Sequence, residues 1–298
     1  MNALYVIITD FNGYVQTRRC LEALRSSDYQ DFTILVVDHG SNEETRTGLA
    51  AEFPEVIRIE GSPELWWTGA TNLGIRAALE QGADAIMLLN NDCYVAPQTI
   101  GTVVALATAH PHSIIAPVQR DWLSGKITSV SPRSRFVLGF PTVPGPRYLT
   151  AAITARGLLP VKLIGGGRGV IIPVAVFQQM GLFDEVHLPH YGADHDFYLR
   201  VRRRGIALYV ATGAFVDIDH TRTTLADNPG QLTFSEFWSS LSSIRSHRNL
   251  RDATALFRKH YPIPHLHLFG VALYTGRYVL VYLIKRMVFL VRGYRLSI

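Results

Sequence analysis

Short apolar runs alternate with amphipathic segments along the first 95 residues. Four runs predict buried strands: LYVIIT (4–9), FTILVV (32–37), VIRIE (56–60) and AIMLL (85–89). Residues 14–27 and 71–82 carry apolar positions near helical spacing, and Gly82 ends the second of these segments. Strands that are apolar on both faces and separated by helices predict an α/β fold with a mostly parallel sheet.

Polar side chains follow three of these runs. Asp10 and Asp38 follow the first and second, and Asn90, Asn91 and Asp92 follow the fourth. Ligands of open α/β sheets bind beyond the carboxyl ends of the strands. Hard oxygen ligands suit Mg²⁺ or Mn²⁺, which in turn could hold a diphosphate. Each stretch alone is equally typical of a turn or a helix cap, but three at one edge favour a site.

The middle of the chain has a different pattern. Residues 121–162 contain five prolines and several glycines, which predicts a functional loop over a binding cleft. GGGRG (165–169) lacks the lysine of a phosphate loop, so we interpret it as a turn that lets a ligand approach the backbone. Residues 232–261 predict a helix that is capped by Thr233 or Ser235.

The tail, residues 268–298, is the most apolar part of the chain. Arg277, Lys285 and Arg292 interrupt it at helical spacing, which is the pattern of a helix that lies in the plane of a membrane surface. The alternative is a helix that docks on the domain or in a dimer interface. Residues 244–298 carry a net charge of +9 in a chain of +5, so the remainder is net −4. A basic tail on an acidic body predicts contact with an anionic surface.

Composition narrows the class of protein. A chain of 298 residues with 48% apolar and 18% charged residues predicts a folded domain with a large core, not disorder. Two cysteines exclude a disulfide framework or a zinc site and favour a reducing compartment. Residues 1–20 show no signal-peptide pattern. Nucleic-acid binding is disfavoured because the basic residues lie among long aliphatic ones.

Six segments, in order, resemble the inverting family 2 glycosyltransferases of the GT-A fold. They span roughly residues 3–224: VIITDFNG, ILVVDHGSNEET, WWTGATNLGIRAAL, IMLLNNDCYV, GRGVIIPVAVFQQMGLFDE and YGADHDFYLRVRRRG. The resemblance implies a GT-A (Rossmann-like) domain over residues 1–225, with a donor half to about 120 and an acceptor half from 121. A helical, basic and apolar extension, 226–298, follows.

The resemblance also implies roles for single residues. Asp38 matches the aspartate that contacts the nucleotide base or ribose, and Asp92 matches the aspartate that coordinates the metal. Asn90 or Asn91 would hold ribose or a metal-bound water, and His220 would reach the metal or diphosphate. Four further donor contacts are expected: Asp10 at the first strand end, Trp67 packing on a ring, Asn72 at a helix start and Arg222 on phosphate oxygens.

Asp194 matches the catalytic base of the resembled family. The glutamate that usually precedes this aspartate is replaced by Ala193, which puts the identity of the acceptor in doubt. His195 could share the proton transfer, although a histidine on a first helical turn is more often a surface residue. Asp196 is expected to pair with Arg200 four residues on.

The function that follows is metal-dependent inverting sugar transfer. The donor would be a nucleotide diphosphate sugar, with dTDP-rhamnose as first guess and UDP-sugars next, and the cofactor Mg²⁺ or Mn²⁺. The acceptor would be a glycan or lipid-linked glycan in cell-surface polysaccharide synthesis. The protein would be cytoplasmic, peripheral on the membrane, and possibly a homodimer. The alternative is a non-catalytic nucleotide-sugar-binding or assembly subunit. A sugar nucleotidyltransferase is disfavoured because the first turn lacks a basic glycine-rich loop.

Overall fold

The computed structural model describes residues 3–40, 42–221 and 229–295, the last four as backbone only. Four parallel strands form the first half of its sheet, in the order β3-β2-β1-β4: β1 Leu4–Asp10, β2 Thr33–Asp38, β3 Ile57–Glu60 and β4 Ala85–Asn90. Asp10 lies in register with Asp38, and Thr9 with Asn90. The predicted strands and their shared polar edge are therefore confirmed.

Three helices cover this parallel block: α1 Tyr14–Arg25, α2 Glu43–Glu52 and α3 Trp66–Glu80. Helix α3 begins at Trp66, five residues before the predicted start at residue 71. Gly74 lets α3 lie directly on the sheet, because a Cβ there would come within 2.5 Å of Ile7 Cγ2 and 3.0 Å of Val37 Cγ2.

The second half adds antiparallel strands, so the sheet as a whole is mixed and not mostly parallel. Strand β11 lies antiparallel between β4 and β6, while the long β12 runs parallel to β6 and antiparallel to β5 and β10. The remaining elements up to residue 218 are β5 Cys93–Val95, α4 Thr99–Ala109, β6 Ser113–Asp121, β7 Ile127–Ser129, β8 Arg133–Arg135, β9 Phe140–Val143, α5 Ala151–Thr154, β10 Leu158–Pro160, β11 Arg168–Pro173, α6 Val174–Met180, α7 Ala193–Arg203 and β12 Ala207–Ile218.

The C-terminal extension packs on the α/β domain with three helices: α8 Phe234–Ser240, α9 Leu250–His260 and α10 His267–Arg295. Thr233 caps α8 in a capping box with Glu236, as predicted. The single helix expected over 232–261 is wrong, because the chain leaves the helix after Ser240 and Asn249 caps a new one. Leu256 and Phe257 of α9 and Tyr274 of α10 belong to the same hydrophobic core as α7.

Helix α10 has two different faces: aromatic residues pack inward on the domain, and aliphatic residues are exposed on the opposite side. Tyr274 and Tyr282 are buried, and the guanidinium of Arg277 lies 4.1 Å from the ring centroid of Phe140. The expectation that Arg277 faces membrane headgroups is therefore wrong. Lys285 is exposed, and the side chain of Arg292 lies outside the described residues. The outward face is aliphatic and exposed, with Leu280, Leu283, Ile284, Met287, Val288, Leu290 and Val291 among its residues.

Candidate active site

A cavity of about 480 Å³ opens at the carboxyl ends of β1 and β4. We call it the strand-end cavity. Its walls come from the ends of β1, β2 and β4, from α1, from the start of α3 and the segment before it, and from two segments far along the sequence. The residues that line it are Thr9, Phe11, Gln16, His39, Pro63, Trp66, Trp67, Asn90, Asn91, Asp92, His190, Tyr191 and Arg245.

The three polar residues after β4 are held in different ways. Asn90 Oδ1 accepts a hydrogen bond from Trp67 Nε1 at 3.1 Å, and Asn91 Nδ2 donates to Thr17 Oγ1 at 3.0 Å. Asp92 is half-buried, and its carboxylate accepts the Cys93 thiol at 3.3 Å. Since a thiol is a weak donor, Asp92 retains the capacity to bind a ligand in the cavity.

The segment that leads to His220 runs beside Asp92 in the fold, although the two residues are far apart in sequence and His220 is not among the residues that line the strand-end cavity. The last residue of β12 pairs with Cys93, and the backbone N–H of Asp219 donates to the carbonyl of Asp92 at 2.8 Å. His220 follows directly and is exposed. Within the described ranges no group of three His, Cys, Asp or Glu side chains could hold a metal ion by itself. Arg222 lies outside the described residues.

A second cavity, also about 480 Å³, lies against the N-terminal end of α7, and we call it the α7 cavity. Asp194 lines it, together with the glycine segment at 165–166 and the loop that contains Pro132, Pro141 and Pro144. The glycine turn and the proline-rich loop therefore both line this cavity, while their contact with a ligand stays a prediction. Residues 121–162 also contain the short strands β7 to β10 and helix α5. Tyr191 lines both cavities, so they meet at this residue.

The comparison with protein families decides what kind of domain carries these cavities. The family described as Glycosyl transferase family 2 matches residues 5–154, half of the chain. The chain belongs to this family. No curated protein matches it over its sequence.

Solved glycosyltransferase structures share its fold. GalNAc-T7 with UDP, GalNAc and Mn²⁺ is 14% identical, with a TM-score of 0.62 over 74% of this chain and 44% of that one. TarS of S. aureus is 13% identical, with a TM-score of 0.51 over 89% of this chain and 45% of that one. TarS 1–349 with UDP is 12% identical, with a TM-score of 0.55 over 95% and 91%. The chain thus spans less than half of the first two, and these likenesses show the GT-A fold.

Two of the predicted donor contacts of this glycosyltransferase domain have structural roles in the fold. Asp10 is fully buried, and its carboxylate accepts from Gly13 N–H at 3.0 Å and from the hydroxyls of Thr17 and Thr45. Asn72 is 1% exposed, and its amide donates to Phe183 and Glu185 and accepts from the Phe183 N–H. Neither lines the strand-end cavity or the α7 cavity, so this geometry favours positioning of the loops over direct contact with a donor.

Asp38 lies behind the strand-end cavity. Arg58 donates to Oδ2 at 2.9 Å, whereas Oδ1 is buried without a hydrogen-bond partner among the described residues. Burial raises the pKa of Asp38, and the Arg58 guanidinium opposes this only in part. Burial also lowers the pKa of His39, which stands next to it and lines the cavity. A buried acceptor without a donor is costly unless a ligand satisfies it.

The tryptophan pair and its neighbours form the outer wall of the strand-end cavity. Both Trp66 and Trp67 are half-buried and line it. Trp66 has a φ of +52°, which is strained for a bulky residue and typical of functional sites. Its ring lies 5.6 Å from that of His190 and 6.0 Å from the Arg245 guanidinium. Burial lowers the pKa of His190 to about 4, so this imidazole is neutral at pH 7.

The three residues at the start of α7 have separate tasks. Burial raises the pKa of Asp194, although the nearby Arg168 guanidinium and backbone N–H groups of His195 and Gly166 oppose this. Both ring nitrogens of His195 are bonded to hydroxyls, to Ser134 at 2.9 Å and Thr142 at 2.8 Å. Burial lowers the pKa of His195 to about 3, and its two hydrogen bonds anchor the proline-rich loop.

Asp196 makes the predicted pair with Arg200, with Oδ2 2.8 Å from Nε. It is also fully buried against Lys259 at 3.2 Å and His260 at 2.8 Å, both on α9. Burial would raise the pKa of Asp196, but the hydrogen bonds from His260 and Arg200 and the charge of Lys259 lower it well below its usual range. Asp196 therefore joins the domain to its C-terminal extension.

Several residues at the two cavities carried no recognised signal in the sequence. His39, His190 and Arg245 line the strand-end cavity, and Asp252, Arg168 and Tyr191 line the α7 cavity. A lone His or Arg in an irregular segment has no spacing that marks it. Asp252 had one usable signal, because it is the single acid among ten basic residues in 244–298.

Proposed function

We propose that this chain transfers a sugar from a nucleotide diphosphate donor to a hydroxyl of a glycan acceptor. The observation that supports it is the meeting of the two cavities at Tyr191. One presents Asn90, Asn91 and Asp92 at the strand ends, and the other presents Asp194. A donor in the first and an acceptor in the second would meet with their reacting atoms beside Tyr191.

Transfer proceeds with inversion in this proposal. The acceptor oxygen forms a bond to the anomeric carbon as the bond from that carbon to the diphosphate oxygen breaks. A carboxylate oxygen of Asp194 takes the proton of the acceptor hydroxyl. The raised pKa of Asp194 makes it a better proton acceptor, and the nearby Arg168 guanidinium partly opposes this shift.

A divalent cation fits the strand-end cavity. Asp92 would hold it with a carboxylate whose protein contact is one thiol, and His220 follows the residue bonded to the backbone of Asp92. Two protein ligands are few, but Mg²⁺ and Mn²⁺ often take most of theirs from phosphate and water. Such an ion, when bound, would stabilise the negative charge that develops on the leaving diphosphate. Arg222 remains a candidate phosphate contact.

The donor base and ribose would lie near Asn91 and Asp38, whose Oδ1 lacks a hydrogen-bond partner among the described residues. Our first candidate for the donor stays dTDP-rhamnose, with UDP-sugars next. The presence of UDP in two structures of the same fold favours testing both nucleotides together. The rhamnosyl preference rests on resemblance alone.

We further propose that α10 holds the enzyme at the cytoplasmic face of a membrane, near a lipid-linked acceptor. Residues 267–291 are long and apolar enough to cross a membrane by length and composition, which is weak evidence for a span. The buried Tyr274 and Tyr282 fix one face of α10 on the domain, so its exposed aliphatic face suits shallow insertion instead. A homodimer interface would cover the same face.

The alternative function is a nucleotide-sugar-binding or assembly subunit without catalysis. Two departures from the pattern of the resembled family support this alternative. The residue before Asp194 is Ala193, and the first residue of the metal motif is the amide Asn90. Binding of a donor without hydrolysis or transfer would favour it.

A panel of nucleotide-sugars, measured by thermal shift with and without Mn²⁺, tests the proposed function. We expect dTDP- or UDP-sugars to raise the melting temperature, and to raise it more when Mn²⁺ is present. The reason is that a ligand that binds only the folded state stabilises it by mass action. Release of the nucleoside diphosphate from the stabilising donor should follow. Absence of stabilisation by every donor would contradict the proposal.

Anionic liposomes test the membrane proposal. Leu283→Glu with Met287→Glu should abolish binding at low salt, because charges would enter the exposed aliphatic face. Leu123→Glu is the matched control, since Leu123 is 77% exposed and lies outside the extension. If the unmodified protein ignores liposomes and the double variant changes a dimer into a monomer, the face is a subunit interface.

A further inference from the structure

Asp252 lines the α7 cavity and, among the described residues, lacks the side-chain hydrogen bonds that the buried Asp10 and Asp196 of the same domain have. Asp252, in the first turn of α9, is 5% exposed and lines the cavity with Asp194. Neither of its carboxylate oxygens has a hydrogen-bond partner within residues 3–40, 42–221 and 229–295. The buried Asp10 and Asp196 each accept several hydrogen bonds.

The packing of α9 against α7 explains where Asp252 lies. Three residues at four-residue spacing form a stripe on α9. His260 bonds to Asp196, and Leu256 Cδ2 is 3.7 Å from where a Cβ of Gly192 would lie. The stripe therefore runs towards the N-terminus of α7, and its third member is Asp252. The N–H of Tyr191 lies near that carboxylate and lowers its pKa.

Burial of an unpaired carboxylate is unfavourable, so its presence needs a reason. Burial raises the pKa of Asp252 to about 6, against an opposing effect from Arg251. The charged groups that also line the cavity are the carboxylate of Asp194 and the guanidinium groups of Arg147, Arg168 and Arg277. Three guanidinium groups disfavour a cationic ligand, and two carboxylates disfavour an anion.

A neutral ligand that donates hydrogen bonds fits this lining best. Sugar hydroxyls are such donors, and Tyr191, Tyr274 and Tyr278 add aromatic surface on which a sugar ring can pack. A carboxylate that accepts from a hydroxyl forms a charge-assisted bond, which discriminates strongly against ligands that lack the hydroxyl.

We propose that Asp252 recognises the acceptor: its carboxylate accepts a hydrogen bond from a sugar hydroxyl and places the reacting hydroxyl at Asp194. This inference rests on the proposed function and deepens it, since it assigns the acceptor as a neutral sugar held partly by the C-terminal extension. Asp252 is a specificity-determining residue in this scheme, while Asp194 performs the chemistry.

The experiment uses the full-length protein saturated with UDP or dTDP and Mn²⁺. The probes are octyl glucoside, octyl galactoside, octyl N-acetylglucosaminide and octyl rhamnoside, each below its micelle concentration. We expect at least one to bind. Asp252→Asn should weaken that binding about ten- to hundredfold, because a charge-assisted hydrogen bond is lost. Asp31→Asn, at an exposed acid, should bind as the unmodified protein does.

A kinetic comparison separates recognition from a structural effect. In transfer to the best glycoside, Asp252→Asn should raise the acceptor KM about tenfold or more and leave donor KM and donor hydrolysis unchanged. Unchanged glycoside affinity in Asp252→Asn, or no glycoside binding at all to the nucleotide-loaded protein, would overturn the inference. Failure of nucleotide binding, which is measured first, would instead overturn the proposed function.

Discussion

The strand-end cavity and the α7 cavity have the same volume but are assembled in different ways. The strand-end cavity takes part of its lining from the ends of two paired strands, with Thr9 on β1 and Asn90, Asn91 and Asp92 at the end of β4. The α7 cavity takes its lining from β6, the proline-rich loop, α7, α9 and α10, which span residues 116–278. One is a property of the parallel sheet, and the other exists only after the C-terminal extension has packed.

Because of this difference, sequence changes at the strand ends and sequence changes in the C-terminal extension should affect different cavities. Changes in the extension can reshape the α7 cavity, through Asp252 and Arg277, without touching the strand ends. Donor binding and acceptor choice would then be nearly independent, with Tyr191 as the shared residue. Arg245 is the exception, because it belongs to the extension and lines the strand-end cavity.

The largest effect should come from Asp194→Asn, which acts in the α7 cavity alone. We expect turnover to fall by about 10²–10⁴-fold with donor affinity unchanged, because general-base help is typically of that size. Single-turnover transfer and nucleotide binding by calorimetry measure the two quantities.

His195→Ala is the informative companion to this variant. It should lose stability, because Ser134 and Thr142 lose their partner, but its donor-hydrolysis rate per folded molecule should stay near normal. Near-normal transfer in Asp194→Asn together with a large loss in His195→Ala would move the base to His195.

The contacts of Asp196 with α9, which join the α/β domain to the C-terminal extension, should give the next largest effect, here on stability. Asp196→Asn leaves Lys259 and His260 of α9 facing a neutral amide in a buried site, so we expect a loss of about 3 kcal/mol in unfolding free energy at pH 7. Glu55→Gln, which breaks the exposed pair with Arg25, should cost under about 1 kcal/mol. Urea unfolding compares the two.

The pH dependence sharpens this prediction. The pKa of Asp196 is lowered in the folded state, so its contribution is present above the unfolded pKa of about 3.9 and is lost as pH falls through the folded value. The difference between Asp196→Asn and the unmodified protein should therefore shrink below about pH 4. A difference that stays constant from pH 7 to pH 3 would mean that the effect is packing and not charge.

Much of the strand-end cavity could be predicted because its residues lie next to local patterns. An apolar run that ends in Asn90-Asn91-Asp92 signals a strand and its polar edge together, and β1, β2 and β4 confirmed it. The predictions that failed at this cavity concerned the roles of single side chains. Nothing local shows that Asn72 is turned towards Phe183, more than a hundred residues away.

The α7 cavity was predicted only where the chain carries a motif. Asp194 and the proline-rich loop were found from sequence, but Asp252 was not, because its place depends on α9 packing along α7. The break at Ser240 was missed because apolar spacing continues through it, whereas the helix ends where Asn249 begins a new cap. Residues brought together by packing of distant helices have no common spacing in the sequence.

The metal assignment gives a smaller but clean test of the strand-end cavity. Asp92→Ala should weaken Mn²⁺-dependent binding of the nucleoside diphosphate about ten- to hundredfold and leave the fold intact, since Asp92 makes no ion pair among the described residues. Metal-independent binding should be unchanged. Equal Mn²⁺ dependence in Asp92→Ala and the unmodified protein would remove Asp92 as a ligand.

The smallest effect concerns the stability that the folded protein loses because the carboxylate of Asp252 is buried without a partner among the described residues. Its pKa is raised to about 6 in the folded state, against about 3.9 when unfolded, so its charged form opposes folding. Below about pH 4, Asp252 is protonated in both states and does not reduce the free energy of unfolding. As the pH rises through about 6, the buried carboxyl must ionise, and the folded state loses stability. Asp252→Asn removes this loss.

The variant should therefore be more stable than the unmodified protein at pH 8, by about 1 kcal/mol and at most about 3, and equal to it at pH 4. Urea unfolding of the ligand-free protein at the two pH values measures it. A structural carboxylate would behave in the opposite way, because its replacement would destabilise at pH 8, as we expect for Asp196→Asn. A gain in stability together with weaker glycoside binding would show that the extension gives up stability at Asp252 in exchange for acceptor recognition.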